Sequence, residues 1–284
     1  MLYTPEYLAY LAKNCFKLKP GMKCLDVGTG EGFMVFSLSK YILPGGSFVG
    51  LDCDEGLLRT ARRLASKAGL TESIHFRKGD ACKLPYKDNT FDRVICQTLL
   101  MHLPVPEAGV SEMVRVTKPG GLVVCIEADN AYRICYDNAG FDNLKEWERF
   151  YAFYFRHFLD IRERKICDNM IGRRLPALLH AQGLEDITMR RNETVLMELP
   201  EGRGKVSEIG REVHAPAENP PAAVPKLSKK QLAELERVVG KSLARWFLRF
   251  KPRLDAKEAF LSARGEKLSV LEMPLFIATG RKAE

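Results

Sequence analysis

"LDVGTGEGF", residues 25–33, joins an apolar run to three glycines at alternate positions, Gly28, Gly30 and Gly32, with Asp26 two residues ahead of the first. A glycine-rich turn between a strand and a helix lets a ligand approach the backbone closely and meet free N–H groups. A dinucleotide site would use G-x-G-x-x-G, and its third glycine position is here Phe33. A diphosphate would also face the Asp26 carboxylate. A ligand that carries cations and no phosphate removes the conflict, because the acid then stabilises it and the glycines make room for its body.

Outward from this turn, short apolar runs alternate with helical patterns, the signature of a parallel sheet wrapped by helices. Strands are predicted at "KCLDV" (23–27), "SFVGLD" (47–52), "IHFRKGD" (74–80), "FDRVICQ" (91–97) and "GLVVCIEAD" (121–129). Helices are predicted from about Gly32 to Ile42 and through "EGLLRTARRLASKAGL", which Gly69 stops. A long aromatic helix over 142–166 follows, then a helix over 169–182, a sixth strand near 187–199, a proline-rich linker "HAPAENPPAAVPKLSKK", a helix over 228–250 and a last strand in "KLSVLEMPLFIATGRK". The fold expected is α/β, a doubly wound, mostly parallel seven-stranded sheet with an inserted helical cap. Its parts are a core over 1–130, a cap over 131–168, a return to the core over 169–200, a linker and basic helix over 201–265, and a core strand over 266–284.

Asp52 closes the second strand in "VGLDCD", Asp80 follows the third in "KGDACKLPY", Gln97 ends the fourth in "FDRVICQTLLMHL", and "VTKPGGLVV" enters the fifth. With "CLDVGTGEG" these stretches, in this order, resemble the class I S-adenosylmethionine-dependent methyltransferases over roughly residues 20–130. The resemblance implies S-adenosylmethionine as cofactor. It implies contacts from Asp26, Gly28, Thr29, Gly30 and Gly32, from Asp52 and Cys53 at the ribose, from Asp80 and Ala81 at the adenine, and from Gln97. Tyr3, Tyr7 and Tyr10 lie on a first helix that family members often fold over the cofactor. Each residue has an ordinary alternative: Asp26 or Asp80 as a cap, Asp54 capping the helix after Asp52, the tyrosines as core packing.

A sulfonium methyl is already electrophilic, so its transfer needs alignment of the nucleophile more than acid–base machinery. No residue is therefore assigned as an obligatory catalyst. A base is needed only for a hydroxyl or carbon-acid acceptor. Tyr10, His102, Glu127 and Tyr154 are the candidates for touching the acceptor, with wall, core and solvated-loop roles as their alternatives; Asp129 shares the position of Glu127 at the fifth strand's end. The acceptor expected is a small molecule held near an aromatic cap of Trp147, Phe150, Tyr151, Tyr154, Phe155 and Phe158.

Composition bounds the remaining choices. The chain has 284 residues, 46% of them hydrophobic, which excludes disorder, and a formal charge of +8, which attracts anions. Eight cysteines form no CxxC pair, so a reduced, cytoplasmic protein without a metal site is expected. No apolar run approaches the roughly 20 residues needed to cross a bilayer. From Lys226 to Arg253 nine basic residues meet two acids. One helix stripe there is apolar and the other carries Lys230, Arg237, Lys241, Arg245 and Arg249. That basic face keeps a nucleic-acid methyltransferase open as an alternative, and a cofactor-binding protein without transferase activity is a third.

Overall fold

The computed structural model describes residues 3–130, 134–137, 144–164, 166–191, 195–198, 227–263, 269–272 and 275–284. The chain divides into two units. One comprises Tyr3–Asn130, Lys165–Asn192 and Pro274–Glu284; the other comprises Met1–Leu2, Ala131–Arg164 and Glu193–Met273.

The first unit is built on β1 (Lys23–Val27), β2 (Ser47–Asp52), β3 (Ile74–Lys78), β4 (Phe91–Gln97), β5 (Thr117–Ala128), β7 (Leu184–Arg191) and β10 (Leu275–Lys282). They lie in the order β3-β2-β1-β4-β5-β10-β7, with β10 antiparallel to both its neighbours and β1 to β5 parallel. Parallel strands covered on both faces read as continuous apolar runs, and β1 is buried at every position after Lys23. The order reverses between β1 and β4, and ligands of such sheets lie at the carboxyl ends of the strands beside that point.

Local chemistry fixes the helices. The Asp54 carboxylate accepts from the N–H groups of Gly56 and Leu57 and so caps α3 (Glu55–Lys67). α3 buries Leu58, Ala61 and Ala65, one face at helical spacing. Pro106 opens α4 (Pro106–Val116), where its missing N–H is no loss. α1 (Pro5–Tyr10) starts under the Thr4 hydroxyl, α2 (Phe33–Ser39) follows the glycine turn, and α6 (Leu175–Ala181) packs under β7. Leu25, Val27, Phe91, Val94, Met113, Val123, Leu175 and Leu179 are among the side chains of the core.

The second unit holds α5 (Leu144–Glu163), α7 (Lys229–Val239), α8 (Lys241–Ala263) and a sheet in the order β6-β9-β8, formed by β6 (Ile134–Asp137), β8 (Val195–Glu198) and β9 (Ser269–Glu272). Phe153 and Phe247 stack at 3.8 Å, and Phe153, Val239 and Ala244 form its own small apolar cluster.

Three expectations change. The strand predicted over 187–199 is two, because β7 ends where its pairing with β10 ends, at Arg191 opposite Phe276, and β8 pairs with β9 instead. The last predicted strand is also two, β9 and β10, with Pro274, which has no N–H to give a ladder, between them in sequence. The helix predicted over 228–250 breaks at Gly240, whose φ of 86° no helix accepts, and then runs on to Ala263. The side chains of Cys135 and Trp147 and residues 214–226 of the proline-rich linker lie outside the described residues.

Candidate active site

The ends of β1, β2, β4 and β5 meet at the glycine turn. Gly28, Gly30 and Gly32 all have positive φ, at 74°, 55° and 90°. They differ in what surrounds them. A Cβ on Gly28 would lie 2.8 Å from Leu99, and one on Gly32 would lie 2.8 Å from Phe36 and Phe76, whereas a Cβ on Gly30 meets nothing within 4 Å. The three glycine positions thus differ in what their missing side chains make room for. Gly28 and Gly32 admit the protein's own side chains, and Gly30 alone faces open space.

Asp52 sets the turn's shape. Its Oδ2 accepts from the Gly30 N–H at 2.8 Å and its Oδ1 from the Asp54 N–H at 2.9 Å. The carboxylate is half-buried, and each oxygen, having accepted one bond, has capacity for another. Cys53, beside it, is exposed. Asp80 accepts from the Cys82 N–H at 2.8 Å and forms a bridge with Lys83, which orients the turn after β3, and Ala81 is buried there.

Asp26 is 2% exposed inside β1, which excludes a capping role. Burial pushes its carboxyl up to about 7; the charge of Asp52 adds to the rise and the Thr29 hydroxyl opposes it. Glu127, at the end of β5, is fully buried. Its Oε1 accepts from the N–H groups of Leu99 at 2.9 Å and Leu100 at 2.7 Å, and burial pushes it up to about 7 as well. Glu127 Oε2 and the Tyr3 hydroxyl are buried here with no hydrogen-bond partner. Tyr3 is 3% exposed, its ring 5.5 Å from that of Phe33, and burial with the charges of Tyr7, Asp26 and Glu127 raises its phenol.

The remaining candidates divide. Gln97 is half-buried at the end of β4, opposite Ile126, and Thr98 follows it with a φ of 48°. That strained turn is held by the Thr98 N–H on the Ile126 carbonyl and by Glu127 on the next two amides. His102 is exposed, its Nδ1 4.0 Å from the Cys167 sulfur. Burial and the charges of Asp168 and Glu127 push the Cys167 thiol up, which favours its protonated form. Tyr10 is 39% exposed and accepts a hydrogen bond from Arg190 at 2.8 Å. Asp129 is buried in a bidentate pair with Arg173, at 2.5 and 2.8 Å, which removes it from the candidates for the acceptor. Tyr154 belongs to the other unit, 4.6 Å from Phe150 and 5.4 Å from Phe158 between ring centroids. Sequence reasoning did not find Leu99, Phe36 and Phe76 as the fillers of the glycine positions, because they come from separate elements.

Residues 18–191 match the family described as a methyltransferase domain. The chain belongs to the class I S-adenosylmethionine-dependent methyltransferases. It is 33% identical over 144 residues to the demethylmenaquinone methyltransferase of Staphylococcus aureus (strain JH9), an alignment covering 51% of this chain and 54% of that one. The chain thus spans about half the length of the curated relatives it matches. A Bacillus halodurans protein assigned to the methyltransferases has a similar fold, with a TM-score of 0.55 at 18% identity over 98% of this chain and all of that one. So does the cyclase SpnF, with a TM-score of 0.54 at 17% identity over 98% of this chain and 81% of the other.

The family's cofactor is S-adenosylmethionine, and the residues present fit it. A cationic ligand suits two buried acids, the Gly30 position leaves room, and Glu127 Oε2 and the Tyr3 hydroxyl are buried without partners. Among the described residues no cluster of His, Cys, Asp or Glu is arranged to hold a metal, and no helix is long and apolar enough to cross a membrane.

Proposed function

We propose that this methyltransferase moves the methyl group of S-adenosylmethionine to a small-molecule acceptor. The observation that carries the reading is the buried Asp26 carboxyl behind a glycine, Gly30, whose missing side chain leaves open space. The bound cofactor supplies an electrophilic methyl on a positively charged sulfur. The chain's own residues bind, orient and desolvate. In this reading Asp52 holds the glycine turn and accepts from the ribose hydroxyls, Asp80 and the Ala81 N–H receive the adenine edge, and Gly28 to Gly32 present the backbone. Gln97 lies beside the reacting groups. Cys53 lines the ribose side through its backbone. No residue is assigned as catalyst, since alignment at close range supplies much of the rate for such a displacement.

A compact acceptor is favoured over nucleic acid by the pairing of the basic helices. Arg237 bonds to Asp160 at 2.6 Å and to Glu234, Arg164 bonds to Glu234, and Arg253 bonds to Glu146. These pairs turn positive charge toward the protein's own acids. The Staphylococcus aureus relatives are named for demethylmenaquinone, so that quinone belongs in the acceptor panel. The test is direct: incubate the purified chain with S-adenosylmethionine and a panel of quinols, amines, thiols and phenols, and follow S-adenosylhomocysteine with a mass shift of one methyl on the acceptor. Turnover with any panel member supports the reading. Failure to bind donor or by-product at millimolar concentration sinks it.

A further inference from the structure

Two buried acids, Asp26 in β1 and Glu127 near the end of β5, stand on either side of β4, and among the described residues no cation acts on the titration of either. The side chains whose titration feels Glu127 are Tyr3 from the N-terminal segment, Cys96 from β4 and Cys167 from the segment after α5. Asp26 is felt by Tyr3 and Cys96 too, and Asp52 from β2 acts on Asp26. All are acids, thiols or a phenol. On β10, the neighbour of Glu127 is the apolar Phe276. Asp129, two residues on from Glu127, is paired by the Arg173 guanidinium. The N–H groups of Leu99 and Leu100 both bond to Glu127 Oε1, and Oε2 has no partner within hydrogen-bond distance in a fully buried position. The Tyr3 hydroxyl shares that condition. Buried polar atoms left unpaired are costly, so each calls for an explanation, and a bound ligand is one.

Resting on the methyltransferase reading, we propose that Glu127, with Tyr3 and Asp26, receives a cationic group of the cofactor, and that cofactor binding drives a proton from this acid pair to solvent. The balance is simple. Without a nearby cation each of these buried carboxyls favours its O–H, since burial disfavours the charged form and nothing neutralises it. An arriving cation makes the ionised form the stable one. The carboxyl O–H bond then breaks, the proton goes to buffer and the carboxylate left behind neutralises the ligand's charge. Burial already holds both carboxyls near neutrality, the range in which such an exchange is measurable. Glu127 is thereby assigned to the donor side of the site, where its position alone left it open between donor and acceptor.

Isothermal calorimetry tests this between pH 6 and 7, in buffers of differing ionisation enthalpy. There the ligand's own amine, which titrates at about 7.7–8.0, stays protonated; any proton it takes up has the opposite sign. Expected for the wild-type chain is release of roughly 0.5–1 proton per S-adenosylmethionine, with affinity rising about three- to tenfold from pH 6 to pH 7. S-adenosylhomocysteine keeps the ammonium and lacks the sulfonium. Equal release with both ligands assigns the pair to the ammonium, and release with the donor alone assigns it to the sulfonium; either result supports the proposal. Adenosine, which lacks both cations, is expected to bind without release. Glu127→Gln keeps the acceptor for Leu99 and Leu100 and is expected to lose at least half of the release. Tyr3→Phe keeps the ring stack, and a roughly three- to tenfold loss of affinity is expected from it, the range of one net hydrogen bond. If Glu127→Gln does not fold, the wild-type buffer dependence and Tyr3→Phe still decide. Donor binding without proton release, or full release in Glu127→Gln, overturns the proposal and leaves the methyltransferase reading intact. No binding of either adenosyl ligand overturns both.

Discussion

Gly30 and its two neighbours show how much a single missing Cβ can mean, and how differently. Gly28 and Gly32 are required by packing against Leu99, Phe36 and Phe76, so Gly28→Ala is expected to lower thermal stability by about 1–3 kcal/mol, the range of an overpacked core with added backbone strain. Gly30→Val fills space that the protein itself leaves open. It is expected to abolish detectable cofactor binding in calorimetry while circular dichroism still reports a folded sheet. The acid pair adds a pH signature. Both carboxyls are raised on folding, so their favourable contribution is complete below about pH 4 and is lost as pH climbs to about 7. Asp26→Asn and Glu127→Gln should each raise the melting temperature of the ligand-free chain at pH 8 and leave it nearly unchanged at pH 4. A melting temperature that falls at pH 8 in both variants would contradict the assignment. The glycines and Asp26 were readable in the sequence because their spacing is local. The orphaned oxygen of Glu127 was not, since it depends on which backbone amides a folded turn offers.

At the scale of elements, Arg93 ties the N-terminal helix to the sheet. From β4 its guanidinium donates to the carbonyls of Phe16 at 2.7 Å, Lys17 at 3.1 Å and Asp92 at 2.6 Å, and the residue is 8% exposed. Arg93→Met would strand these buried carbonyls. A loss of about 2–4 kcal/mol in urea unfolding is expected, with the N-terminal amides losing hydrogen-exchange protection first. The five parallel strands were legible because each is a short apolar run bounded by turn residues. β7 and β8, and likewise β9 and β10, read as single runs because a change of partner leaves no mark in hydrophobic pattern. Pro274 was the one signal that separated the second pair.

At the scale of the whole molecule, the formal charge of +8 already subtracts every acid, so ion pairs leave it unchanged and decide only where positive charge is concentrated. Exposed ion pairs add little stability, yet on the basic helices they set an acid beside several of the cations a polyanion would meet. Fluorescence anisotropy with a labelled RNA or DNA is therefore expected to show only weak binding at physiological salt, without the steep salt dependence that several phosphate contacts produce. A steep slope with tight binding would favour the nucleic-acid alternative. The sheet's topology also governs how the molecule is made. β10 sits between β5 and β7, yet residues 275–282 are synthesised after both of them. Until that segment leaves the ribosome, two neighbouring ladders present open hydrogen-bonding edges in the nascent chain. Completion of the sheet thus waits for residues 275–282, and a translation product interrupted before them is an aggregation hazard carrying an intact glycine turn.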